Sequence, residues 1–99
     1  MTDEGTPDYR LQKARERERV VSAIVRAQSE WREILEVLES SESAEAAQDA
    51  LARTFGLAHD QVWAVLDTQF RRVSRADRDR IADELASLRA EIAELEREL

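Results

Sequence analysis

His59 and Asp60 are the adjacent pair with the clearest capacity for chemistry: an imidazole beside a carboxylate can pass a proton or begin a metal site. His59 is the only histidine in the 99 residues, and there is no cysteine. One histidine with one aspartate falls short of a metal-ligand set. No serine is placed to act as a nucleophile with it. His59 is therefore expected as an exposed loop residue. The 22 aspartates and glutamates invite general acid–base chemistry, but most of the glutamates flank helical seams and are explained by solvation there. A third chemistry is phosphate contact. Arg10, Lys13, Arg15, Arg17 and Arg19 fall within one short stretch, opposed by Glu16 and Glu18. They read as a solvated helix face, with Arg10, Lys13 and Arg17 as candidate phosphate contacts. The net charge of −7 argues against a general nucleic-acid binder. No metal or other cofactor is expected.

The elements that would carry these residues are helical. The chain is 37% charged and 42% apolar, with 2 Gly and 1 Pro, a balance that suits long helices packed along a seam. Its length implies one domain. Residues 1–6 are expected to be disordered, and residues 7–99 to form a single helical hairpin domain. Pro7 suits a first helical turn. One long helix is predicted over 7–39, with a seam of Ala14, Arg17, Val21, Ile24, Gln28, Trp31, Leu35 and Leu38. A short connection follows over 40–43, where Ser43 can cap a helix over 44–55. Gly56 provides a left-handed stop, with Leu57 folding back onto Leu51. A helix over 59–73 then places Val62, Leu66, Gln69 and Val73 on one face. Ser74–Asp77 has the form of a capping box, opening a last long helix over 75–99. There Ile81, Leu85, Leu88, Ile92, Leu95 and Leu99 repeat as a heptad seam. The two long helices must run antiparallel if the short ones form a compact turn. No apolar run nears the roughly 20 residues that span a bilayer. The acidic N-terminus lacks the features of a secretion signal. Both point to the cytoplasm.

Residues 55–72 read FGLAHDQVWAVLDTQFRR. This segment resembles the dimerisation gate of the family formed by the A subunits of DNA gyrase and topoisomerase IV, which looks like FGLSxxQAxAILDMxLRRLT. Tyr9, Leu11, Gln12, Lys13, Ala14 and Arg17 match the entry to that family's helical hairpin. Ser74–Arg78 and Glu91-Ile92-Ala93-Glu94-Leu95 match its return. The resemblance implies an all-α fold, a long antiparallel coiled-coil hairpin capped by two short helices. It also implies a homodimer through the cap, with Trp63, Leu66, Asp67, Phe70 and Arg71 at the interface. This sequence departs from the pattern where protomers would touch. Val62-Trp63 stands for Ala and a polar residue, Thr68 for Met, Phe70 for Leu, and Arg75 for the turn glycine. Tyr9, the only tyrosine, takes the place of the hairpin-entry Phe and not that of a DNA-cleaving nucleophile. The nucleophile, metal and ATPase parts of such enzymes have no counterpart here. The expected function is a stand-alone, non-catalytic homodimerising module, with the gyrase A subunit as a partner it could modulate. The alternative is a DNA-associated accessory protein using the basic N-terminal stretch.

Overall fold

Thr6 and Pro7 start the first helix together. Proline has no N–H to leave unsatisfied in that turn, and the Thr6 hydroxyl accepts from the Tyr9 N–H at 3.2 Å. The computed structural model describes residues 5–68 and 70–99, the side chains of Phe70 and Arg71 excepted. Within them the protein is all-α: α1 (Pro7–Ser29), α2 (Trp31–Ser40), α3 (Ala44–Phe55), α4 (His59–Leu66), a 3-10 turn (Phe70–Val73) and α5 (Arg75–Glu98). The disorder expected over 1–6 falls mostly outside the described residues, but Thr6 acts as a cap.

The single helix expected over 7–39 is in fact two. It divides at Glu30, whose backbone leaves the helical region at φ −114° and ψ 28°. Ser29 turns its hydroxyl onto the Val25 carbonyl at 2.7 Å, a bond that bends helices. Arg26 holds Glu30 at 3.0 Å and also donates to the Phe55 carbonyl of α3. Backbone bonding closes on Glu30 from both sides, its N–H donating to the Arg26 carbonyl and its carbonyl accepting from the Ile34 N–H. The outcome is a bend that brings Ile34, Val37 and Leu38 into the core shared with α3.

Ser43 caps α3 by accepting from the Ala46 N–H at 3.1 Å. Gly56 ends it in the left-handed region at φ 65° and ψ 39°, and the Leu57 N–H reaches back to the Ala52 carbonyl at 3.1 Å. Leu57 packs on the cluster that contains Leu51. These features match the sequence expectation closely.

The helix expected over 59–73 stops at Leu66. There the Thr68 N–H bonds three residues back, to the Val65 carbonyl, and the Thr68 hydroxyl takes the Ala64 carbonyl at 2.9 Å. The chain tightens and leaves the α-helical path before Val73. Val62 and Val65 form the buried pair of α4, and Leu66 is half-buried. The expectation for Gln69 lies outside the described residues.

α1 and α5 lie side by side in opposite directions, as their ion pairs show. Arg15 meets Glu96, Glu18 meets Arg89, and Arg17 meets Glu84. Leu11 and Ala14 pack with Ile92 and Leu95 at one end. Val21 packs with Ile81 and Leu85 further along. Arg17, expected in the seam, is exposed; it spans the seam's edge to reach Glu84 at 3.0 Å. Leu99 also stays outside, 64% exposed. The largest core lies in the cap, where Ala23 and Ala27 of α1 meet Ile34, Leu51, Val62 and Val65.

Candidate interaction surface

α4 is positioned from α1 and not from the cap alone. Asp60 Oδ1 accepts from the Arg19 guanidinium at 3.0 Å. Gln61 Nε2 donates to the Arg19 carbonyl at 3.0 Å. The Gln61 side-chain oxygen meanwhile accepts from the Ala58 N–H at 2.9 Å, closing the open end of α4. Val62 and Val65 face the small residues Ala23 and Ala27, whose short side chains let the two helices approach. With that side fixed inward, the helical period turns Trp63 and Asp67, four residues apart, outward together.

Trp63 is 44% exposed. Its indole N–H donates to His59 Nε2 at 3.1 Å, and the rings meet edge to face with centroids 6.3 Å apart. His59 is exposed as expected, but it opens α4 and orients a tryptophan. Leu66 lies one turn beyond Trp63 and forms part of an open apolar pocket of about 240 Å³. Trp31, Leu35 and Leu38 of α2 line one side of that pocket, and Leu66 and Val73 line the other. Trp31, expected in the seam between the long helices, is half-buried in this wall instead. The Arg32 guanidinium lies 5.0 Å from its ring.

Trp63 and Asp67 are thus exposed, on α4 and at its C-terminal end, whereas Leu66 is half-buried against the cap core and lines the pocket. The expected contributions of the Phe70 and Arg71 side chains lie outside the described residues. Sequence reasoning missed Leu35 and Val73 as pocket walls. It counted Leu35 toward a long seam that the bend at Glu30 interrupts.

Arg10, Lys13 and Arg17 share a face of α1 beside Leu88 and Glu91. Lys13 pairs with Glu16 at 3.5 Å and lies over the Tyr9 ring at 5.5 Å. Arg17 is taken by Glu84, Arg15 by Glu96 and Arg19 by Asp60. The basic stretch is interleaved with carboxylates along most of its length. Among the described residues, no group of three or more His, Cys, Asp or Glu is placed to hold a metal ion. No helix among them is long and apolar enough to cross a membrane.

Comparison with known proteins adds a lineage. The family model for the A subunit of DNA gyrase/topoisomerase IV matches residues 4–99. The chain is 38% identical over 88 residues to the DNA gyrase A subunit of Mycobacterium bovis (strain BCG / Pasteur 1173P2), covering 89% of this chain and 10% of that protein. It is 35% identical over 88 residues to that of Mycolicibacterium smegmatis, with the same coverage. The figures for Campylobacter jejuni are also 35% over 88 residues, 89% and 10%. The chain spans about a tenth of the length of these curated relatives.

Proposed function

Because the chain belongs to the A-subunit family of DNA gyrase and topoisomerase IV, we propose that it is a non-catalytic interaction module that pairs with a second copy of itself through the cap. The observation that carries this reading is Trp63. It stands 44% exposed on a helix whose other side is held inward by Val62 and Val65, one turn before Leu66, which helps to line an apolar pocket. Large aromatics with open apolar neighbours are the usual anchors of protein interfaces. A narrow, heavily charged hairpin has few other places to bury apolar area against a partner.

The same patch suits the corresponding surface of a gyrase A subunit, through which the module would modulate that enzyme. The DNA-accessory reading has less support, since carboxylates of α1, α4 and α5 already engage the cations Lys13, Arg15, Arg17 and Arg19.

Light scattering tests the central claim. The expected mass is twice the 11.4 kDa of one chain. Trp63→Ala should weaken the dimer by about 2 kcal/mol, as for an interface anchor, while leaving the helical circular-dichroism signal intact. A mass of one chain at every concentration would reject the reading. Retention on the immobilised gyrase A subunit, reduced by the same substitution, tests the second partner.

A further inference from the structure

The last turn of α1 grips the chain on both sides of α4. Arg26 Nη1 donates to the carbonyl of Phe55, the final residue of α3, at 2.5 Å. Gln28 Nε2 donates to the carbonyl of Arg72, in the 3-10 turn, at 2.7 Å. In the chain these two acceptors bracket α4. Each grip answers a need. A carbonyl at the end of a helix has no partner within it; Arg26 supplies one to α3, and its guanidinium lies 5.3 Å from the Phe55 ring. Gln28 is 2% exposed, the only polar residue buried among the described residues, and a buried amide is costly unless it is bonded. The placement around α1 is also informative. Residues 26 and 28 lie about 100° to either side of Ala27, and Ala27 belongs to the cluster that holds Val62 and Val65 of α4. Apolar contact runs down the middle, and a polar grip flanks it on each side. α5 meets α1 through a separate cluster of Val21, Ile81 and Leu85, to which α4 contributes nothing.

We infer that Arg26 and Gln28 form a clasp that makes α4 one opening unit, separable from the α1–α5 pair. While both carbonyls are held, α4 is pressed onto Ala23 and Ala27 and Trp63 is presented at a fixed place. When either carbonyl is released, α4 loosens along its whole length while the long helices stay paired. Local opening in such cooperative units is the ordinary behaviour of packed chains; here two side chains of a single helical turn define where the unit begins and ends. The inference concerns one chain by itself and stands whether or not the cap pairs with anything.

Amide hydrogen exchange on the full chain tests this. Arg26→Met and Gln28→Met keep the side-chain stem and remove the donor. Either one should speed exchange at Val62 and Val65 about tenfold, since a carbonyl is left without its partner. The effect should also cross the unit: Gln28→Met should speed exchange at Leu57, and Arg26→Met at Thr68. Leu85 and Leu95 of α5 should stay within about twofold of the parent, because local opening spares them. Glu30→Gln leaves Arg26 its hold on the Phe55 carbonyl and should leave α4 unchanged. If the methionine variants do not fold, Arg26→Lys and Gln28→Asn, which weaken the grips without abolishing the donors, should give the same pattern at smaller amplitude. Three results overturn the inference. Acceleration confined to the substituted end would mean two independent caps. Equal acceleration at Leu85 and Leu95 would mean that α4 opens only with the whole chain. An effect that vanishes on about tenfold dilution would belong to pairing between copies and not to the clasp.

Discussion

Trp63 and His59 carry the finest-grained consequence of the structure. The indole N–H donates to the imidazole Nε2, and the rings meet edge to face. In a Trp31→Phe background, where Trp63 is the sole indole, His59→Ala removes the acceptor and should change the tryptophan emission, while His59→Gln, which keeps an acceptor oxygen, should change it less. Equal emission from the parent and His59→Ala would show that the bond does not hold in solution. No sequence pattern announced this pairing. A histidine and a tryptophan four apart share a helix side, but only the docking of Val62 and Val65 determines that the side faces outward.

At the level of helices, the local punctuation was plain in the residues. Ser43, Gly56 and Ser74 each do what their chemistry implies, and α5 buries Ile81, Leu85 and Leu95 from its heptad. The bend at Glu30 was not legible. It contains neither glycine nor proline, so nothing in composition marks it. The early end of α4 was hidden likewise, because it depends on Thr68 turning back onto Ala64. A further omission concerns α1. One seam was drawn for one partner, yet α1 serves two: Val21 faces α5, whereas Ala23 and Ala27 face α4. Their small size is the condition for that second contact. Ala27→Leu should accordingly overpack it and cost about 1–3 kcal/mol. That corresponds to a melting-temperature drop of several degrees for a chain of this length. A substitution at exposed Ala93 in α5 provides the control and should be nearly silent. Equal melting temperatures for Ala27→Leu and the parent would show that α4 does not sit tightly on α1.

Over the whole molecule, apolar burial is unequal. The cap holds the broadest cluster, while the far end of the long helices relies on Leu11, Ala14, Ile92 and Leu95. The ion pairs joining α1 to α5 are exposed, and such pairs contribute only about 0–1 kcal/mol each. Amide hydrogen exchange should therefore be slower at Leu51, Val62 and Val65 than at Leu11 and Ala14, since local opening follows local burial. The reverse order would mean that the long helices, not the cap, are the stable unit. The anchorage of Asp60 and Gln61 on Arg19 also fixes where the exposed tryptophan stands. α4 hangs from the middle of α1, well before the bend at Glu30. The residue that sets its height along the molecule therefore belongs to the longest shaft and not to the turns at its end.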